Sequence, residues 1–375
     1  MDQSKGSSRR VRHVVVGIGV SGVVLAAATF SEGRDVEATA MQESPRLLVP
    51  GFTYMGNASC VSCHDVEEPK QECGQEIGDE FTIWFDNDPH AKSYTMLKEA
   101  ESKAIAAKLG IPDASTSDRC LNCHALNAPE AQRGERFDIA EGNSCESCHG
   151  PAEKWLTDHE KECWTKSKRE DPAVGTAGLL KEYGLIDTRN VAVRAQTCIA
   201  CHLGIDKELL DAGHPSVQFE MYGYNYYAFD KEFTPHWEDP VGELFDAKLW
   251  AVGQAAALAA VKGKSDPLEP VYAAGVAVAK KHFGSDSAEG LAKAAYTAEK
   301  CAAAAADLAA AAGEAKSDMG RKIIGFGVTA LGSAVFDAKK ADVPDEFWDA
   351  SDAATSGTEA GFAEACKKMA DIAGK

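Results

Sequence analysis

Four short runs share one pattern, in which two cysteines are separated by two residues and a histidine directly follows the second. Two thiols three positions apart lie on one side of a helical turn, so both can form thioethers with the vinyl groups of one haem while the adjoining imidazole binds its iron. Four repeats exclude a chance match. The sequence therefore predicts four haem c groups, attached through Cys60, Cys63 and His64; Cys120, Cys123 and His124; Cys145, Cys148 and His149; and Cys198, Cys201 and His202.

Structural zinc sites are the alternative interpretation of these runs, because C-x-x-C pairs and histidines also bind zinc. A zinc site needs two half-sites that face each other. Here every cysteine pair carries its own histidine directly after the second cysteine. The pattern therefore favours haem over zinc.

The remaining histidines decide what the haems can do, because an iron with two axial side chains suits electron transfer and an open position can bind a substrate. His282 lies near a predicted helix C-terminus and is interpreted as a solvated residue that favours the helix dipole. Spacing alone allows several pairings of the others. The candidate second ligands are His90, His159, His214 and His236, with Met55, Met96 and Met221 as alternatives.

Four cysteines lie outside the attachment motifs, an even number that predicts two disulfides in an oxidising compartment. Cys301 and Cys366 both fall in the C-terminal region, where a disulfide between them would link the last helix covalently to the rest of the predicted bundle. Cys73 and Cys163 meet if His159 reaches the first haem. Free buried thiols are the alternative.

The N-terminal residues predict export, which haem attachment requires. Basic residues in 1–13 precede an apolar run over 14–30 without a charge, so residues 1–30 are predicted as a signal peptide. The run is near the short limit of a membrane-spanning helix, which leaves an uncleaved N-terminal anchor as the alternative. The protein is therefore expected to be periplasmic or otherwise exported.

The elements that must position these residues differ between two regions. Residues 31–56 are predicted as a linker, and residues 57–240 as short helices and long loops around four stacked haems. Residues 241–375 are rich in alanine and predict an antiparallel bundle of four or five helices, over 241–261, 267–283, 287–312, 318–341 and 358–373. The fold class is mainly α.

The chain is strongly acidic, with 39 basic and 58 acidic residues and a formal net charge of −19. Nucleic acids and anionic membrane surfaces would repel such a protein. We therefore expect no nucleic-acid partner, and a membrane contact only through a possible N-terminal anchor. Basic or balanced proteins are the expected partners, although acidity also serves solubility.

The order of motifs resembles the tetrahaem cytochrome c-554 family of nitrifying bacteria over about residues 57–204, with CVSCH, HAKSYTMLK, RCLNCH, GNSCESCHGPAEKWLTDH and TCIACHLG in sequence. The resemblance implies a second haem with one open position, which His236 would fill if it ligates. It also places His159 at the first haem, where a Cys73–Cys163 bridge would hold the two segments together, although these two cysteines are additional to the family's pattern. The alanine-rich region is a departure from the family. The implied ligand pairs are His64 with His159, His149 with His90, and His202 with His214.

The resemblance also implies a carrier that moves electrons between redox proteins, such as a hydroxylamine-oxidoreductase-like donor and a quinone- or cytochrome-linked acceptor. The alternative is an enzyme that acts on small nitrogen oxides, for example by reducing nitric oxide at a five-coordinate second haem. A third hypothesis is a filament-forming or complex-bound subunit whose bundle docks neighbours. The carrier and the enzyme hypotheses differ in whether a side chain occupies the sixth coordination position of the second haem.

Overall fold

A computed structural model describes residues 48–66, 70–72, 75–203, 205–217, 219–227 and 244–375. The predicted signal or anchor segment, the first part of the predicted linker, Cys73 and His236 lie outside these residues. Within the described part of the chain, no helix is long and apolar enough to cross a membrane.

Short helices make up the region that carries the attachment motifs. They are α1 Val61–His64, α2 Glu80–Asn87, α3 Ser93–Met96, α4 Ala100–Lys108, α5 Asp118–His124, α6 Cys145–His149, α7 Trp164–Glu170, α8 Gly175–Gly178, α9 Val191–His202, α10 Lys207–Ala212 and α11 Met221–Tyr227. Further single turns are the 3-10 segments Asn57–Ser59, Pro89–Lys92, Ala114–Thr116, Glu130–Gln132 and Ile139–Glu141 and the π segment Leu179–Tyr183.

Every attachment motif lies at the end of a helix. The motif histidine is the last residue of α1, α5, α6 and α9. Helical spacing places both motif cysteines on one side of the helix, with the histidine one residue beyond the second. Each motif therefore has the local geometry that thioether attachment needs.

One small sheet accompanies these helices in the described residues. Strands β1 Lys70–Glu72 and β2 Gln75–Ile77 pair antiparallel, with Gln71 opposite Glu76. The prediction of a mainly α fold is confirmed. Part of the predicted linker is packed rather than extended into solvent, because Tyr54 is fully buried against Leu126 and Ala128.

The C-terminal region is a bundle around α16, which lies against α12, α13, α15, α17 and α18. Apolar residues occupy every face of α16, as expected for a helix surrounded by others. The helices are α12 Phe245–Val261, α13 Glu269–Phe283, α14 Ala288–Ala292, α15 Ala298–Ala310, α16 Asp318–Lys339, α17 Asp345–Thr355 and α18 Phe362–Ala373, and a 3-10 turn covers Ala311–Glu314.

Two of the helix predictions for this region are wrong. The segment 287–312 forms two helices rather than one, because the Thr297 side chain accepts a hydrogen bond from the Lys300 amide and begins a new helix. Helix α17 was not predicted. Pro344 precedes it as the N-cap, and Asp345 and Glu346 occupy its first turn, which together form a helix start rather than a break.

The bundle and the fourth attachment motif share one hydrophobic core. Val191, Ala192 and Ala195 of α9 pack in the same cluster as the buried faces of α12 to α18, with Cys198 against its edge. The described residues, which all lie within Ala40–Lys375, belong to one compact unit. The predicted boundary between residues 240 and 241 lies outside the described residues, and the division into two domains stays a prediction.

Candidate haem-binding site

A large cavity of about 1250 Å³ lies among the short helices. All four motifs contribute their cysteines and histidines to its lining. Three of the candidate second ligands, His90, His159 and His214, line the same cavity. The fold therefore collects into one space the residues that the sequence singled out from seven separate segments.

Inside the cavity, six histidine rings form three facing pairs. The centroid separations and interplanar angles are 6.1 Å and 8° for His64 and His159, 5.9 Å and 55° for His90 and His202, and 6.0 Å and 76° for His124 and His214.

These separations fit one iron between the two rings of each pair. An imidazole nitrogen lies about 1.1 Å from the ring centre and a metal–nitrogen bond is about 2.0–2.1 Å long, so two opposed axial imidazoles place their centroids roughly 6 Å apart. No group of three or more metal-binding side chains is found in the described part of the chain. Each pair supplies two ligands, the number that an iron already bound by a porphyrin needs.

Hydrogen bonds to Nδ1 orient two of these rings through carboxylates. His64 Nδ1 donates to Glu80 Oε2 at 2.9 Å, and His90 Nδ1 donates to Asp88 Oδ1 at 2.7 Å. Burial pushes the pKa of Glu80 up, but the hydrogen bond and charge of His64 outweigh burial and keep this pKa below its ordinary value. With Nδ1 occupied, Nε2 is the nitrogen left for iron.

Backbone carbonyl groups orient three more rings in the same way. The acceptors of the Nδ1 hydrogen bonds are Ser93 O at 3.0 Å for His124, Leu156 O at 2.5 Å for His159, and Pro215 O at 2.8 Å for His214. His282 differs, because its Nε2 bonds Asp307 Oδ2 at 2.6 Å within the bundle. The prediction of a solvated His282 is wrong, because its side chain is only 13% exposed and is paired with Asp307.

The pair of His64 and His159 is the one that the resemblance implies. The other two observed pairs differ from the implied pairs. His90 faces His202 rather than His149, and His214 faces His124 rather than His202. The predicted candidate for the second haem, His236, lies outside the described residues. His149 is held through its carbonyl oxygen, which accepts the Ile186 amide at 2.9 Å.

Ion pairs and hydrogen bonds between helices explain these two differences. Arg119, next to the second motif on α5, bonds Asp206 at the start of α10 at 2.9 Å, and Lys108 bonds the carbonyl oxygen of Ala212 at its end at 2.8 Å. These contacts draw α10, and with it His214, toward His124. Likewise Asp88 bonds both His90 and Tyr224 of α11, at 2.7 and 3.2 Å, which ties His90 to the region near α9.

Contacts between the motifs order the four attachment sites in space. The thiols of Cys60 and Cys145 hydrogen-bond, the thiols of Cys148 and Cys198 interact electrostatically, and the Cys201 thiol donates to the Asn122 carbonyl at 4.0 Å. These interactions link neighbouring sites in the order first, third, fourth and second.

The cavity also fits the acidic edge of a haem. Trp155 Nε1 is buried next to His159 and has no hydrogen-bond partner among the described residues, so it is a donor available to a propionate. Cationic side chains around the same space can pair with further propionates. Those that line it are Arg119, Lys166, Arg169, Arg189, Arg194 and Lys322.

The cysteines outside the motifs behave differently from one another. Cys163 is disulfide-bonded, and Cys73, its predicted partner, lies outside the described residues. The predicted bridge between Cys301 and Cys366 is wrong, because both are buried free thiols. Burial raises the pKa of each to about 12, and they pack as small apolar side chains in the bundle core.

Comparison with known proteins supports the class that this geometry defines. Residues 59–150 match the sequence model of a family described as cytochrome c554 and c-prime. The match confirms the predicted resemblance over this part of the chain, and the class of protein is a multihaem c-type cytochrome with covalently bound haem.

The particular relative found is cytochrome c-554 of Nitrosomonas europaea. It is 26% identical over 172 residues, which cover 44% of this chain and 63% of the relative. The chain thus spans less than two thirds of the length of this relative. No solved structure matches significantly.

Proposed function

We propose that this chain is an exported electron carrier with four haem c groups, most of them bound by two axial histidines. The observation that carries the proposal is the facing of three histidine pairs across the cavity at centroid separations of 5.9 to 6.1 Å. An iron with two fixed protein ligands changes charge without exchanging a ligand. The chain contributes the spacing, orientation and polarity that make such transfer fast.

The row of attachment sites supports a path for electrons. Side chains of neighbouring motifs hydrogen-bond or lie near enough to interact electrostatically, so haems attached to them would lie close to each other along the order first, third, fourth and second. The first and second haems would be the two ends of this path. Electrons would enter at one end and leave at the other.

The alternative function, reduction of nitric oxide or another small nitrogen oxide at the second haem, needs an open axial position. The ring of His214 faces His124 at 6.0 Å, and the Arg119–Asp206 ion pair holds the helix before it. This position favours a six-coordinate second haem and therefore the carrier. A ligand role for His236 is not needed in this arrangement.

The expected partners are redox proteins, and the resemblance favours a hydroxylamine-oxidoreductase-like donor and a quinone- or cytochrome-linked acceptor in the periplasm. The formal net charge of −19 favours partners with basic surfaces. A subunit that docks through its bundle receives less support. Trp348 is the one large apolar residue of the bundle that is exposed among the described residues.

We further propose that residues 57–240 form the tetrahaem region and that residues 241–375 form a bundle that packs against it and fixes the position of its helices. The shared core supports this role, because α9, which ends in His202, packs its inner face on the bundle. Fixing α9 would fix the fourth haem. The spacing of that haem from its neighbours would then depend on the bundle.

Electron paramagnetic resonance of the oxidised holoprotein, followed by nitric oxide addition to the reduced protein, tests this function. Mass spectrometry first counts the haems, and four are expected. The test compares the wild type with His214→Ala, and uses His282→Ala as the matched histidine control. We expect His214→Ala to add a high-spin ferric signal and a ferrous nitrosyl signal at the second haem, beyond any such signal that the wild type and the control show.

If all three proteins formed the same nitrosyl species at the second haem, His214 would not be its ligand. The enzyme hypothesis would then replace the carrier. A count of fewer than four haems would contradict the tetrahaem assignment itself.

A further inference from the structure

One buried carboxyl group on the cavity has no role in haem attachment or ligation. Glu220 precedes α11, is 4% exposed and lines the cavity. Its neighbour Phe219 packs edge-on against the ring of His202, with centroids 6.4 Å apart. Glu220 is therefore close to the fourth attachment site without being one of its ligands.

The hydrogen bonding of Glu220 is incomplete. Oε2 accepts the Gly223 amide, whereas Oε1 is buried and has no partner among the described residues. A buried carboxylate oxygen without a donor is costly, and a protonated carboxyl group removes that cost. Burial raises the pKa of Glu220 to about 7, although the amides of Gly223 and Tyr222 act in the opposite direction.

We propose that Glu220 is a proton-uptake site coupled to the haem bound by His202. When this iron passes from ferric to ferrous by gaining one electron from a one-electron donor, the Glu220 carboxylate gains one proton from solvent. Oxidation returns both. The charge of the pocket then stays constant during each cycle, which is favourable where the dielectric constant is low. The inference rests on the proposed function, because it requires a haem that changes its oxidation state.

Other titratable groups on the surrounding elements do not substitute for Glu220. Tyr272 donates its hydroxyl to Phe219 O at 3.0 Å, and burial raises the pKa values of Tyr272 and Tyr224 far above neutrality, so both keep their protons. Asp88 is bonded to His90 and Tyr224. The cationic side chains that line the same cavity from α9 and α16 are Arg194 and Lys322, and Asp246 and Lys248 lie in the first turn of α12.

The sign of the effect follows from electrostatics. An added electron raises the proton affinity of a nearby carboxylate, and by linkage a bound proton raises the reduction potential of the haem. The potential of the fourth haem should therefore fall as the pH rises through the range in which Glu220 loses its proton. Near neutrality Glu220 already carries its proton in part of the oxidised molecules, so the average uptake should be less than one proton for each electron.

The first test is a spectroelectrochemical titration of the holoprotein between about pH 5 and about pH 9. In the wild type, we expect the potential of one haem to fall with pH around neutrality. In Glu220→Gln this dependence should be lost at the same haem. The matched control is Glu141→Gln, which removes another carboxyl group whose pKa burial raises but which does not line the cavity.

A pH dependence that persisted unchanged in Glu220→Gln would assign it to other groups, such as the propionates, and would overturn the inference. Proton uptake can also be measured on the wild type alone, so the test does not depend on whether Glu220→Gln folds. Wild-type holoprotein is reduced with dithionite in unbuffered solution near pH 7, and a pH-indicator dye reports protons taken up beyond those released by dithionite oxidation. Uptake supports the inference, and its absence overturns it.

Failure of this inference can be distinguished from failure of the proposed function. Reversible, pH-independent reduction of all haems would contradict only the role of Glu220. A holoprotein whose haems could not be reduced and reoxidised reversibly would contradict both.

Discussion

Among the histidines that face the cavity, His64 and His90 bond carboxylates, and three others bond backbone carbonyl groups. A carboxylate acceptor draws the Nδ1 proton more strongly, which makes the imidazole a better electron donor and stabilises the ferric iron. The haems with these two histidines should therefore have lower potentials than the haem of His124 and His214.

Replacement of Glu80 with glutamine tests this effect at one haem. The Glu80→Gln variant keeps an acceptor but removes its charge, so we expect the potential of the first haem to rise while the others change little. Spectroelectrochemistry of the holoprotein measures the change. Glu135→Gln, an exposed carboxylate, is the control. An unchanged first potential would mean that the Glu80 contact does not tune the iron.

Glu220 should also make stability depend on pH. Its folded pKa of about 7 lies above the ordinary value of 4.5, so its contribution is complete below about pH 4.5 and is lost as the pH rises through about 7. The wild type should lose more thermal stability across this range than Glu220→Gln. Calorimetry of both proteins at each pH gives the comparison. Parallel curves would show that Glu220 ionises as it does in the unfolded chain.

At the residue scale, the sequence predicted the attachment cysteines and their histidines because that chemistry is local. The second ligands were harder, because their partners depend on how helices pack. His90 and His214 were both candidates, but the contacts that direct them, Asp88 to Tyr224 and Arg119 to Asp206, join segments far apart in sequence. No spacing rule reveals such contacts.

Helix α16 shows how glycines allow helices to approach closely in the bundle. A Cβ atom on Gly327 would lie 2.4 Å from Trp250 Nε1 and 2.6 Å from Leu308 Cδ2. One on Gly332 would lie 2.5 Å from the ring of Phe347. The missing side chains make room for large residues of neighbouring helices.

The Gly327→Ala substitution should therefore destabilise the protein by about 1–3 kcal/mol, because the added methyl group enters a filled core. Thermal or denaturant unfolding of the holoprotein measures the loss. Gly313→Ala is the matched control, since its Cβ would meet no atom within 4 Å. Equal stability of the two variants would contradict the close approach of α16, α12 and α15.

Helix prediction succeeded where the helical pattern of apolar and small residues continues without an internal cap, as in α12 and α16. It failed where a cap lies inside an alanine-rich segment. Thr297 divides the segment 287–312 because its hydroxyl group satisfies a free amide at the start of α15. Pro344 lies between the predicted helices 318–341 and 358–373, in a stretch predicted without a helix, although proline is also common where helices begin.

At the scale of the whole molecule, composition suggested two regions, and the core joins them. The residues of α9 that carry the fourth motif are packed by α12 and its neighbours. This could not be predicted from composition, because an abrupt change in residue usage says nothing about which buried faces meet. The fourth attachment site is thus also part of the bundle.

The acidic charge should govern encounter with partners. Electron transfer from a basic one-electron donor protein should slow as the ionic strength rises from about 10 mM to about 200 mM, because salt screens the attraction. Stopped-flow kinetics at several salt concentrations measure the trend. A small neutral reductant is the control, and its rate should change little. Equal salt dependence for both reductants would exclude electrostatic steering by the net charge of −19.

The angles between the paired rings have a consequence for the electronic structure of the irons. Near-parallel imidazole planes, 8° apart for His64 and His159, lift the degeneracy of the two iron d orbitals that overlap with the ligand π systems. Planes 76° apart, for His124 and His214, leave these orbitals almost equal in energy. The first haem should therefore give a rhombic spectrum and the second a single extreme g value. The two spectra would then distinguish the first iron from the second.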